Sequence, residues 1–262
     1  TFFLSLGYGW SHNYPLKRWI LRILALATFL LFIRTDPTTC VLFSIAIPFG
    51  FFWTFSLFNA NPNLFIALND KQIIKQKDRI YPDNTEIVGY TDDKGNSICY
   101  PINEMVMPRH ILNDTFFDKP LFVSYCAACR STMLYNPVVD GQRLTFEVLG
   151  VHRRNMIIRD LQTGTVWQQG TGEAMVGKLK GKQLDFYYYQ QTTLTDWIKQ
   201  NPNTFIAKES DNVRKSFVPK ERLLKVLKKV TENFVAPGKT DLTGLSLREK
   251  VWGLQLNGQS KA

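Results

Sequence analysis

Cysteine and histidine are scarce in this chain of 262 residues, with four of the first and three of the second. Four thiols at Cys40, Cys99, Cys126 and Cys129 are too few to staple a chain of this length, so the fold has to rest on a packed core. Acidic residues are also in deficit, 22 against 32 basic ones, which leaves a net charge of +10 and a pI near 9.4. Such a balance suits nucleic acid or an anionic membrane. No regular aromatic–basic platform accompanies it, which excludes a nucleic-acid module. Gly170-Thr171-Gly172-Glu173 lacks the lysine of a phosphate loop, and Ser124 and Ser131 lack a nucleophile elbow.

Apolar residues are plentiful, 45% of the chain, and they crowd into the first sixty positions. There the simpler partner is a lipid bilayer. Trp10 and Tyr14 suit the headgroup level. Trp19 to Ile33 is broken only by Arg22, which can snorkel, and Thr38 to Phe58 is a charge-free run of about twenty residues. With Arg34-Thr35-Asp36-Pro37 as the turn, these predict a transmembrane helical hairpin over 1–60. Pro48 and Gly50 are tolerable in a membrane helix, whose neighbours re-satisfy the freed backbone.

A linker over 61–70 leads to a β-rich domain over 71–205. Glu86–Tyr90 and Ser97–Tyr100 flank Asp92-Asp93-Lys94-Gly95-Asn96 as a hairpin. Leu121–Tyr125, Met133–Tyr135, Leu144–Leu149 and Met156–Arg159 add short strands, with turns at Asp140-Gly141 and Thr163-Gly164. The expected fold class is a mainly β domain of short antiparallel strands, with the helical hairpin before it and a helical tail after it. Leu194–Gln200 has helical spacing. So does Val218–Val230, the amphipathic part of a basic extension over 206–262, read as a lysine face over a leucine stripe.

The chemistry centres on Cys126-Ala127-Ala128-Cys129, delivered by the apolar run Leu121–Tyr125. Two thiols at this spacing close a disulfide or hold one metal ion. His110 and His152 lie on either side in sequence, and Met133 is a soft donor for Cu(I), so copper or zinc are the expected metals. The rival is a redox dithiol. Arg130 favours a thiolate, but Arg130 to Asp140 reads as strand and turn, unlike the helix of a thioredoxin site. A third reading makes the thiols structural in an accessory subunit of a larger membrane complex. Trp167-Gln168-Gln169 reads as a packed strand, and Glu173 as a buried hydrogen-bond acceptor in preference to a general base.

The motif also has companions in a fixed order. Tyr125 to Cys129, Val139-Asp140-Gly141, Thr145 to Gly150, Asp160, Thr163-Gly164, Trp167-Gln168-Gln169 and Thr171-Gly172-Glu173-Ala174 follow one another, then Gly177 and Gly181. Tyr100-Pro101, His110 and Asn113-Asp114 precede them. Over roughly 85–205 this pattern resembles the family called domain of unknown function 3179. The resemblance implies Cys126, Cys129 and His110 as matched positions, with Trp167, Gln168, Gln169, Thr171 and Glu173 as a second signature. At Gly150-Val151-His152 the chain departs from the pattern. It also implies an exported or membrane-anchored β domain on the periplasmic or exoplasmic side. Basic residues on both flanks of the hairpin argue instead for cytoplasmic ends, and the outer placement needs one more helix upstream of Thr1.

Overall fold

The structure is a computed structural model that describes residues 14–35, 46, 48–50, 53, 66–69, 71–106, 109–126, 131–152, 155–209, 222, 225, 229, 254–256 and 259–261. The chain divides into two units, 1–217 and 218–262.

Unit one opens with helix α1 (Tyr14–Thr35). The strands follow as β1 (Ile66–Leu68), β2 (Lys71–Lys75), β3 (Glu86–Thr91), β4 (Ser97–Pro101), β5 (Arg109–Phe116), β6 (Lys119–Cys126) and β7 (Ser131–Asn136). Next come β8 (Val138–Val139), β9 (Gln142–Arg143), β10 (Phe146–His152), β11 (Asn155–Asp160), β12 (Val166–Gln168), β13 (Ala174–Val176), β14 (Asp185–Phe186) and β15 (Gln190–Thr193). Helix α2 (Leu194–Gln200) and β16 (Phe205–Glu209) complete it.

These strands build three main sheets, ordered β1-β5-β6-β7-β14, β10-β11-β12-β13 and β15-β3-β4-β16-β2. The first sheet is covered on both faces, which is why β6 reads as a continuous apolar run instead of an alternating one. On one face Ile111, Phe122, Cys126 and Tyr135 pack with Phe146, Ile158 and Trp167 of the second sheet. Asn113 fastens that contact. Its side chain accepts from the Phe146 N–H at 2.8 Å and donates to the Phe146 carbonyl at 2.9 Å. On the other face the third sheet is tied in by Asp114, which pairs with Lys71 and accepts a 2.7 Å hydrogen bond from the Tyr100 hydroxyl. Helix α2 covers the far side of the third sheet, where Leu194 and Trp197 join Ile87, Cys99 and Ile206. Thr193 caps that helix, its hydroxyl accepting from the Asp196 N–H.

The chain passes between the first and third sheets at two edges, from β1 to β2 and from β14 to β15. Both of these sheets are mixed. β1 runs parallel to β5 and β16 parallel to β4, against the antiparallel expectation. A strand returning after a helix enters its sheet in whichever direction the crossover delivers it. β1 lies in the stretch read as a linker and β16 begins at the expected end of the β-rich part, so pairing extends through 66–209.

The expected transmembrane hairpin falls only partly within the described residues. Helix α1 does form over the first apolar run, but it includes Lys17, Arg18, Arg22 and Arg34. No described helix is long and apolar enough to cross a membrane. Most of the second run lies outside the described residues, yet Phe49 within it stacks on Phe29 of α1, ring centroids 4.3 Å apart. Leu16, Trp19, Ile20, Ile23, Leu24, Leu30 and Leu31 of α1 are exposed.

In unit two, Arg222, Lys225 and Lys229 are helical, within the stretch expected to be a helix. A hairpin of β17 (Leu254–Leu256) and β18 (Gln259–Lys261), unforeseen in the sequence, follows.

Candidate functional site

Cys126 is the last residue of β6 and pairs with Ser131, the first of β7. Strand alternation puts it on the face of Ser124 and Phe122, toward the second sheet, and only 2% of it is exposed. Cys126 is disulfide-bonded. Cys99 is a free, buried thiol on the third sheet, pushed up to about 12 by burial. The partner of Cys126 is therefore Cys40 or Cys129, both outside the described residues.

Beneath Cys126 sits a small polar contact inside an apolar cluster. Ser124 is fully buried, and its hydroxyl accepts a 3.1 Å hydrogen bond from the Gln169 side chain. The Gln169 carbonyl accepts from the Tyr135 hydroxyl at 3.1 Å, and the Gln169 N–H donates to the Met156 carbonyl. Trp167 is fully buried and donates from Nε1 to Asp160 at 2.9 Å. Asp160 also holds its own turn through the Thr163 hydroxyl at 2.9 Å. Gly172, at φ +73°, lies so close to Tyr135 that a Cβ would meet the ring at 2.9 Å. The second signature is thus largely a device that locks the second sheet behind the thiol strand. Gln168 is half-buried, and its side chain accepts from the Thr171 hydroxyl at 3.4 Å in the connecting turn. Glu173 is exposed and bridges to Gln183, so it is not the buried acceptor expected. An exposed carboxylate keeps its hydration and needs no internal donor.

His110 lies at an irregularity in β5. One step along β1, from Ile66 to Ala67, spans Arg109 to Ile111, which makes a bulge at His110. The ring is buried and its Nδ1 lies 3.1 Å from the carbonyl of Tyr125, the residue before Cys126. A carbonyl only accepts, so Nδ1 carries the proton and Nε2 keeps the lone pair. Burial lowers the ring pKa to about 4, which keeps it neutral at physiological pH. Neutral imidazole in this tautomer is the form that ligates metals.

Met133 pairs with Ser124 and packs, partly buried, against the cluster that contains Cys126. His152 belongs to β10 opposite Asn155, and its side chain lies outside the described residues. Among the described residues no group of three His, Cys, Asp or Glu side chains converges on a metal position. The structure joins Cys126, Ser124, Met133 and Gln169 in one neighbourhood and ties His110 to it through a backbone carbonyl.

The family model of DUF3179, a protein of unknown function, matches residues 68–262. This chain belongs to the DUF3179 family. The match begins at Leu68 in β1 and takes in both the CxxC motif and the second signature. No curated protein and no solved structure matches this DUF3179 chain. Sequence reading missed Ser124 as the partner of Gln169 and the Lys71–Asp114–Tyr100 group. The family order around Asn113-Asp114 and Tyr100 was the available signal for the latter.

Proposed function

We propose that this DUF3179 domain is held at a membrane by its N-terminal apolar segments and carries a thiol–disulfide couple built on Cys126. The observation behind this is the disulfide at Cys126 in the family's CxxC motif, with Cys99 withdrawn from thiol chemistry by burial. In the proposed step a dithiol reductant gives up two electrons and two protons. The Cys126 disulfide opens to two thiols, and the donor leaves as its own disulfide. Cys126 is shielded from solvent, so exchange begins at its partner sulfur. The exposed apolar side chains of α1, with Phe29 stacked on Phe49, support the membrane reading.

Alkylation after titration with dithiothreitol tests the couple in the native full chain. Two thiols should appear together at mild reductant, whereas in Cys126→Ser the single partner thiol should be alkylated without any reductant. A disulfide that opens only when the fold melts would overturn the reading and leave the thiols structural, as in a non-catalytic accessory subunit.

The His110 tautomer favours a second reading, in which the reduced site handles a transition metal. Two thiolates and the His110 Nε2 form a donor set suited to zinc or copper. Reduced, purified protein should then carry near-stoichiometric metal, lost in Cys126→Ser and in His110→Gln. Metal-free protein with an unchanged fold would end this reading.

A further inference from the structure

Phe117 stands in the two-residue turn between β5 and β6, where Phe116 pairs with Lys119. Its φ is +49°, in the left-handed region that glycine favours, and 56% of the residue is exposed. One edge of the ring packs on Phe116, centroids 4.8 Å apart, and more than half of the residue still faces solvent on a backbone conformation that disfavours it. Such a position points to something outside the domain.

Its neighbours supply the chemistry. The Phe117 ring contacts Phe205, centroids 6.0 Å apart. Phe205 pairs with Lys75 of β2, and Ala207 with Ile73, which is 47% exposed. β2 is the outer strand of the third sheet, so Ile73, Lys75, Phe205 and Phe117 form a contiguous ridge at its border. Beside it an open cleft of about 340 Å³ is lined by Lys75, Lys77, Asn203 and Phe205. Lys75 and Lys77 are exposed and make no ion pair among the described residues, whereas Lys71 and Lys119 have carboxylate partners.

We infer that this ridge rests on an anionic lipid surface, with Phe117 and Ile73 dipping into the interface and Lys75 and Lys77 on the headgroups. Charge complementarity favours that occupant, and so does chain order. β2 begins 18 residues after Trp53 in the second apolar run (71 − 53), so the ridge lies no further from that run than an extended linker of about 60 Å allows. Apolar rings with flanking lysines are the pattern of interfacial contact. The inference rests on the membrane reading above, but has its own readout.

Hydrogen exchange of the full chain in lipid nanodiscs tests it. Exchange over 73–77 and 115–119 should be slower in discs of phosphatidylcholine with phosphatidylglycerol than in phosphatidylcholine alone. Lys75→Gln with Lys77→Gln should lose that protection, on the order of fivefold for each lysine. Phe117→Gly should lose it too while still unfolding cooperatively in urea, because glycine accepts the left-handed φ of the turn. Equal exchange in both lipids, or unchanged protection in these variants, would overturn the inference. So would protection already present in detergent, which would assign the ridge to a protein partner or a second copy. Failure to enter neutral discs would remove the anchor but not the ridge, which added anionic vesicles would still probe.

Discussion

His110 makes the stability of the domain depend on pH in a defined window. Its pKa falls from 6.5 to about 4 because the buried ring resists protonation. Above pH 6.5 the ring is neutral in both the folded and unfolded chain and costs nothing. Between these values the unfolded chain takes up the proton and the folded one does not, so stability falls as the pH drops. The full penalty, about 3 kcal/mol, is reached below pH 4. Urea midpoints of the native chain against His110→Gln should therefore converge as the pH falls through this window, and a constant gap would contradict the buried neutral ring. At this scale the sequence was partly legible. The thiol pair and His110 could be singled out because rare residue types in a family pattern carry their own signal. The bulge that aims His110 at Tyr125 could not, since it arises from pairing with β1, a partner more than forty positions away in sequence. Glu173 was misjudged because one carboxylate in a glycine-rich turn says nothing about its solvent exposure.

Among elements, the contact of β3 with α2 is the most demanding. Gly89 lies against the Trp197 ring, and a Cβ there would overlap it. Trp197 is itself fixed by a 2.9 Å hydrogen bond from its Nε1 to the Thr204 hydroxyl. Gly89→Ala should cost about 1–3 kcal/mol in chemical denaturation. Adding Trp197→Leu should recover part of that loss, and strictly additive costs would argue against direct contact. Helix α2 was readable residue for residue from its spacing, and the β3–β4 hairpin around its polar turn to within one residue at the end of each strand. Local chemistry specifies such elements. β1 and β14, with three and two paired residues, escaped notice because so short a segment has no period to detect. The apolar run of α1 was read correctly as a helix. Lys17, Arg18 and Arg22 lie in its first half and Arg34 in its last turn, and the helix is not long and apolar enough to cross a bilayer.

For the molecule as a whole, the order of strands in the third sheet matters most. β16 lies between β4 and β2, pairing parallel with the first and antiparallel with the second. β2 belongs to this sheet only through β16. A chain ended before Phe205 should leave the β4 edge bare and β2 without a place, and so expose a template for aggregation. Sedimentation of the truncated chain beside the full one checks this, and a monomeric, cooperatively melting fragment would refute it. No local pattern foretold the arrangement, because the direction in which a strand re-enters a sheet depends on a crossover and not on its own residues.

The same placement sets a clock for biosynthesis. β2 leaves the ribosome early and must wait for more than a hundred further residues before its neighbour β16 exists. Throughout that interval the nascent chain is committed to no closed sheet at this edge. If it is carried across a bilayer, it can travel as an open thread and close only once its own late segment has followed.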